Sequence, residues 1–455
     1  MTAELDAIFK AYDVRGVYPD QIDESVARRV GNAFVGFTGA VRVLVGRDSR
    51  PSGEALVAAF IEGATLAGAD VVDLGLASTD LVYFAAGHLD APAAMFTASH
   101  NPAQYNGVKL CRAGAAPVGE ETGLLQIKAA VADGMLERAE EPGRAEVRDL
   151  LPEFVAHVRS FVDVEALAPL RVVADTANGV GGLVVPAVFA GLPFELSILF
   201  EELDGTFPNH PADPIQPENL KDLQRAVLEV RADVGLAFDG DADRVFLVDE
   251  HAQPVSGSLT TALVAQSILQ RQASDGPVAD RTVVHNLICS KAVPEVVREL
   301  GGTPVRTRVG HSYIKQVMAD TGAIFGGEHS GHYYFRDNFR ADSGLIASLV
   351  VLETLSRAGI PLSELCAPLQ RYADSGEINR RVADPAASVD LVAKAFVGKT
   401  QDRLDGLTVD LGDWWFNLRP SNTEPLLRLN LEASDTESCA EHVAEVLTLI
   451  GGEAD

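Results

Sequence analysis

VRVLVGRDSRPSGEALVAAFIEGATLAGADVVDL, residues 41–74, joins an apolar strand (41–45), a polar turn (46–50), an amphipathic helix (53–66), a glycine and a second apolar strand (70–74). Strand periodicity that gives way to a helical period and then returns predicts a βαβ crossover, and with it a largely parallel sheet. The plan recurs twice. One copy runs through a strand from Arg171 to Ala174, a turn from Asp175 to Gly179, a helix ending at Phe189 and a strand from Phe194 to Ile198. The other has a strand from Thr282 to Val284, a turn near Cys289 and Ser290, a helix from Lys291 to Leu300 and a strand from Thr303 to Thr307.

Each copy then reaches a further short apolar strand that opens into a polar loop: TASHNP at 97–102, DGDADR at 239–244 and GEHSGH at 327–332. Loops at one equivalent place in three related units can face one cleft. The tail breaks the pattern, with strands at 414–418 and 426–431 around the loop RPSNTEP (419–425) and a closing helix from Glu437 to Leu449. That order, without crossovers, predicts a small antiparallel α+β domain. Boundaries near Leu150, Asp249 and Arg371 divide the chain into residues 1–150, 151–249, 250–371 and 372–455.

A chain of 455 residues exceeds what one hydrophobic core supports, which agrees with several domains. The net charge of −28 argues against nucleic acid and anionic membranes as partners. No apolar run has the length of a membrane span, and MTAELDAIFK lacks a signal-peptide pattern, so a cytoplasmic protein is expected. Cys111, Cys289, Cys366 and Cys439 are scattered without metal or disulfide spacing, as buried thiols in a reducing compartment would be.

The run Ala93 to Phe96 can end a buried strand, so Ser99 would emerge at a strand's C-terminal edge, where open α/β sheets bind ligands. A serine hydroxyl needs a base or a nearby charge to become a nucleophile, and His100 and Lys109 are candidates. The other reading is a turn in which Ser99 and Asn101 satisfy local backbone groups. Asp239, Asp241 and Asp243 alternate along an extended segment and so point to one side, able to converge on a hard cation. A calcium loop of the EF-hand type fails because Arg244 stands where the sharp turn requires glycine and strands flank the segment. Three carboxylates with open coordination sites suit Mg²⁺ shared with a phosphate, for which Arg244 would be a partner; a solvated acidic turn is the alternative.

In the third loop Glu328 and Ser330 sit between glycines that let a ligand approach, an arrangement fit for sugar hydroxyls, for a plain turn or, through His329 and His332, for a metal. Arg419, Ser421, Asn422 and Thr423 combine a guanidinium fork with hydroxyls and an amide, and Arg428 can reinforce them; a capped turn is nearly as good a description. Arg15, in the turn YDVRG, reads by default as a surface salt bridge, and His311 with Ser312 as caps of a helix from Tyr313 to Asp320.

YDVRG at 12–16, TASHNP at 97–102, DGDADR at 239–244, GEHSGH at 327–332 and RPSNTEP at 419–425 together resemble the α-D-phosphohexomutase family, in particular its bacterial phosphomannomutase/phosphoglucomutase branch, over essentially the whole chain. The resemblance implies an α/β fold: three related α/β domains with mixed sheets and a smaller C-terminal α+β domain around a central cleft. It implies an enzyme that carries phosphate on Ser99 and interconverts the 6-phosphate and 1-phosphate of mannose or glucose through a hexose 1,6-bisphosphate, which also serves as activator. One Mg²⁺ would be held by Asp239, Asp241, Asp243 and the group on Ser99. Lys109, His100, Arg244 and Arg15 would serve proton transfer and charge balance. Glu328, Ser330, His311 and His332 would contact the sugar. Arg419, Ser421, Asn422, Thr423 and Arg428 would hold the phosphate that is not transferred. The protein would be a monomer or homodimer.

Glucosamine mutases of the family usually have glutamine at the position of His329. A lysine that contacts substrate in some dual-specificity members has no counterpart at Ile288 or Cys289, the nearest being Lys291. Rival expectations are a phosphoglucosamine mutase, a metal-dependent sugar phosphatase that hydrolyses its phosphoenzyme, and a non-catalytic sugar-binding protein, which would need neither Ser99 nor the three aspartates.

Overall fold

Three times the chain lays down strand, helix, strand, helix, strand, strand. The computed structural model describes residues 2–274, 281–420 and 426–454. The first run is Arg42–Arg47, Gly53–Leu66, Asp70–Leu76, Thr79–His88, Ala93–Phe96 and Tyr105–Arg112. The second is Arg171–Asp175, Gly181–Phe189, Glu195–Leu199, Lys221–Val230, Val234–Phe238 and Val245–Asp249. The third is Thr282–Asn286, Ala292–Glu299, Thr303–Thr307, His311–Thr321, Phe325–Gly327 and Tyr333–Phe335. In every sheet the strands of the run lie in the order fourth, third, first, second; the first three are parallel and the fourth is antiparallel. The repetition read in the sequence is therefore structural, and the three polar loops all join a third strand to a fourth.

The parallel strands read as continuous apolar runs because both of their faces are covered. Ala93–Phe96 and Val234–Phe238 are buried at every residue. Helix Thr79–His88 is apolar almost all round and correspondingly buried from Thr79 to Ala86, as is Gly344–Ala358 over its first ten residues. One apolar cluster runs through all three units, from Leu44 and Phe84 by way of Val172 and Phe238 to Phe325 and Leu349.

The tail has its own core, built around Leu407, Phe416, Leu429 and Val446. Its sheet is antiparallel throughout, in the order Thr400–Asp402, Leu407–Asp410, Trp415–Pro420, Leu426–Ala433, Ala373–Arg381, Glu453–Ala454. The expected strands and closing helix are present, the helix as Thr436–Ile450. Strand Ala373–Arg381 and helix Pro385–Ala395 complete the domain. All four cysteines are buried and free. Among the described residues no helix is long and apolar enough to cross a membrane.

Candidate active site

Strand Ala93–Phe96 ends on the loop of Ser99, which is 5% exposed and held at φ 49, a left-handed conformation that costs a non-glycine residue about 1–3 kcal/mol. Its hydroxyl does not serve the local turn. Ser99 Oγ donates to Asp239 Oδ2 at 2.8 Å and accepts from Arg244 Nη2 at 3.1 Å, while His100 Nδ1 lies 3.3 Å away. Arg244 also donates through Nε to Asp239 Oδ2 at 2.8 Å and through Nη2 to His100 Nδ1 at 2.5 Å. Lys109, on the strand after the serine loop, sets its ammonium 2.7 Å from both Asp241 and Asp243. The first and second loops thus interlock. The third joins them: Arg244 and His332 form a backbone bridge, and His332 Nε2 lies 3.7 Å from Asp243 Oδ1.

Burial drives the carboxyl of Asp239 well above the usual range, against the attraction of Arg244, and also raises Asp243. Asp241 is held low despite its burial, because Lys109 and the Thr79 hydroxyl stabilise the anion. Lys109 keeps its proton: burial opposes the charge, but Asp241 and Asp243 outweigh it. Arg244, and then burial, push His100 down to about 2, so its ring is neutral with Nδ1 as acceptor.

The three aspartates offer oxygens all within 4.8 Å of one another. Asp241 Oδ1 and Asp243 Oδ1 are buried without a hydrogen-bond donor. Buried acceptors left over in a set of hard oxygens fit a divalent cation such as Mg²⁺. Asp243, His332 and Asp342 form a second close group, but there Lys315 Nζ already stands 2.8 Å from Asp342 Oδ1.

Arg15 makes the salt bridge expected of it, but not at the surface. It is half-buried, pairs with Asp13 at 2.6 Å and donates to Asn101 Oδ1 at 2.5 Å, which ties YDVRG to the serine loop. The capping role expected of His311 and Ser312 also fails: the helix starts at His311, Gly310 precedes it, and no side chain caps it. His311 instead packs edge-on against Tyr12, with ring centroids 5.3 Å apart. Glu328 is buried and accepts from Asn286 Nδ2, Gly310 N and Tyr334 OH at 3.1, 3.1 and 2.8 Å; Ser330 Oγ lies 3.2 Å from His332 Nδ1.

Arg419 and Arg428 are directly paired across two antiparallel strands of the tail and share Glu377, at 3.8 and 3.5 Å, while Arg419 also lies 3.6 Å from Asp405. The charge of Arg419 reaches the third loop, since after burial it is the next cause holding His329 down at about 3. Ser421, Asn422 and Thr423 lie outside the described residues. Lys291 turns away from the third unit, its ammonium bonded to Asp410 Oδ1 and Gly412 O of the tail at 2.8 and 2.9 Å.

Family models described as phosphoglucomutase/phosphomannomutase α/β/α domains I, II and III match residues 6–137, 152–253 and 256–372, and that of the C-terminal domain matches 377–449. The chain belongs to the phosphoglucomutase/phosphomannomutase family. It is 40% identical to the phosphohexose mutases of Xanthomonas campestris over 98% of its length and 99% of theirs, and 38% identical to the phosphomannomutase of Salmonella montevideo over 97% and 98%. A phosphoglucomutase/phosphomannomutase family protein of Burkholderia thailandensis superposes with a TM-score of 0.87 at 33% identity, over 99% of this chain and 98% of that one. The chain is accordingly a mutase enzyme, with an acidic cluster able to bind metal.

Several residues around this candidate site escape sequence reasoning. Thr79, at a helix start in the first unit, donates to Asp241 Oδ2 at 2.6 Å. Asp48 accepts from Thr97 Oγ1 at 2.7 Å, and Thr97 in turn accepts from Ser99 N at 2.8 Å. Arg50 holds the carbonyls of the same loop. The turn Gly46 to Arg50 does carry a signal, because it leaves a first strand at the sheet's C-terminal edge.

Proposed function

We propose that this mutase interconverts hexose 6-phosphates and hexose 1-phosphates of mannose or glucose, with Ser99 as phosphate carrier and a hexose 1,6-bisphosphate as intermediate and activator. The observation that carries the reading is the Ser99 hydroxyl 2.8 Å from Asp239, at the meeting point of three loops. A serine in plain structural use has no reason to be strained, buried and aimed across 140 residues at an aspartate with a guanidinium on its other side.

Phosphorylated Ser99 gives its phosphoryl group to a sugar hydroxyl: the Oγ–P bond breaks, a sugar O–P bond forms, and the hydroxyl proton passes to the serine oxygen. The bisphosphate then returns its other phosphoryl group to Ser99. Arg244, already donating to Oγ, balances charge on the transferring group, and Lys109 keeps the aspartates from repelling it. Asp239, Asp241 and Asp243 would hold Mg²⁺, which supplies charge stabilisation to phosphoryl transfer. Glu328, Ser330, His311 and His332 contact the sugar, Arg15 steadies the serine loop through Asn101, and Arg419 with Arg428 and residues 421–423 holds the distal phosphate. Two arginines shared by one glutamate at 3.5 and 3.8 Å retain donors for an anion. Relatives named phosphomannomutase in Salmonella montevideo and Escherichia coli favour mannose.

A coupled assay with mannose 1-phosphate, glucose 1-phosphate and glucosamine 1-phosphate, Mg²⁺ and trace bisphosphate tests the reading. Conversion of mannose or glucose phosphate without release of inorganic phosphate is expected. Steady phosphate release would replace it with a phosphatase, and preference for the amino sugar with a glucosamine mutase.

A further inference from the structure

Arg50 lies below the serine loop, 1% exposed, and has no route to a sugar in the cleft. A guanidinium has five N–H donors in a planar fork, and here each one is committed. Nε donates to Asp48 Oδ2 at 3.1 Å; Nη1 donates to the carbonyls of Pro102 and Tyr105 at 2.8 and 2.9 Å; Nη2 donates to those of Ser99 and Asn101, both at 2.7 Å. Four carbonyls from a seven-residue stretch are thereby gathered onto one plane. A loop drawn inward this way has little freedom left at Ser99, which sits at φ 49 with its amide fixed on Thr97, and Thr97 on the Asp48 that pairs with Arg50.

The second unit closes over the same cation. Arg50 Cζ lies 5.2 Å from the centroid of the Phe207 ring. Gly205 passes so near that a Cβ there would stand 2.5 Å from Arg50 Cα, and a Cβ on Gly240, within the aspartate loop, would stand 2.5 Å from the Ser99 carbonyl oxygen. The nucleophile loop and the aspartate loop thus rest on one shared seat.

We infer that Arg50 is a positioning residue for phosphoryl transfer: its fork moulds the strained serine loop, and Phe207 locks that fork to the domain carrying the aspartates, so that Ser99 Oγ meets Asp239. The inference rests on the phosphoserine reading above. In the step concerned, the bond between a bisphosphate sugar oxygen and phosphorus breaks, Ser99 Oγ bonds to that phosphorus, and the serine proton passes to the sugar oxygen. Lysine at position 50 retains the charge over Phe207, but its three donors cannot hold four carbonyls and Asp48 together.

The test is the rate of Ser99 phosphorylation by glucose 1,6-bisphosphate, followed by intact mass in a single turnover and normalised to folded protein from thermal melts. Arg50→Lys is expected to slow it about 100-fold, as a misplaced reacting atom does. KM for the hexose phosphate should stay within about threefold, because the distal phosphate contacts are untouched. Phe207→Leu, which leaves every hydrogen bond in place, is expected to slow it about threefold to tenfold. A folded Arg50→Lys enzyme phosphorylated at the wild-type rate, or one whose loss merely tracks its folded fraction, overturns the inference. If Arg50→Lys gives no folded protein, Phe207→Leu decides, and a wild-type rate there overturns the inference. Failure of the wild type itself to take phosphate on Ser99 removes instead the phosphoserine reading beneath it.

Discussion

The first three units and the tail are built on different terms. The three α/β units share one continuous apolar core, and their loops meet through buried hydrogen bonds such as Ser99 to Asp239, Thr79 to Asp241 and Lys109 to Asp243. The tail encloses a core of its own and meets the third unit through polar, partly exposed pairs: Lys291 with Asp410, Arg306 with Asp402, Arg308 with the Leu404 carbonyl. Bonds of the first kind hold reacting atoms to within tenths of an ångström, as chemistry requires. Pairs of the second kind are individually weak and exchange readily with water, as suits a part that admits and releases ligand. Turnover should therefore be concentrated in the first region and affinity in the second.

The largest effect that separates them is expected at Ser99. Ser99→Ala removes the phosphate acceptor, and mutase turnover should drop by about four orders of magnitude or more, as when a nucleophile is deleted. A variant with wild-type turnover in the coupled assay would end the phosphoserine mechanism. Metal removal comes next. Charge stabilisation by the ion is worth several kcal/mol, so chelation should lower kcat about 10²–10³-fold, with recovery on adding Mg²⁺. An unaffected rate after exhaustive chelation would leave the orphaned oxygens of Asp241 and Asp243 without their proposed ligand.

Arg419→Ala tests the opposite side. A charge-assisted hydrogen bond contributes about 1.5–3 kcal/mol, so KM should rise about 10–100-fold while kcat changes by only a few-fold. Loss confined to kcat would break the division between the two regions, because it would put the tail's arginine into the chemical step.

The parts of this division legible in the sequence are those written in local pattern. Alternation of strand and helix marked the three units, and DGDADR announced its carboxylates because an extended segment points every second residue to one side. What escaped depends on contacts distant in sequence. Arg50 looks like any turn arginine until residues 99–105 fold over it. His311 reads as a cap, yet its ring packs against Tyr12, some 300 positions earlier. Strand Ala373–Arg381 has no fully buried residue, so the apolar alternation by which strands are recognised is missing from it. The RPSNTEP motif could be read as a phosphate loop, and the charge of Arg419 reaches His329 of the third loop, but residues 421–425 are outside the described part.

Lys291 carries the smallest expected effect and the sharpest comparison. Its pair with Asp410 is 22% and 47% exposed on the two sides, and such pairs contribute about 0–1 kcal/mol. If the tail is held by many weak contacts, Lys291→Ala should leave kcat unchanged, move KM less than about fivefold and barely shift the melting temperature. The backbone N–H of residue 291 still donates to Glu432 in that variant, so part of the junction survives. A large rise in KM with kcat intact would make this one ammonium a main anchor of the tail. A loss of kcat would mean that docking of the tail governs the chemistry itself, because the Lys291 ammonium is bonded to the tail, at Asp410 and Gly412.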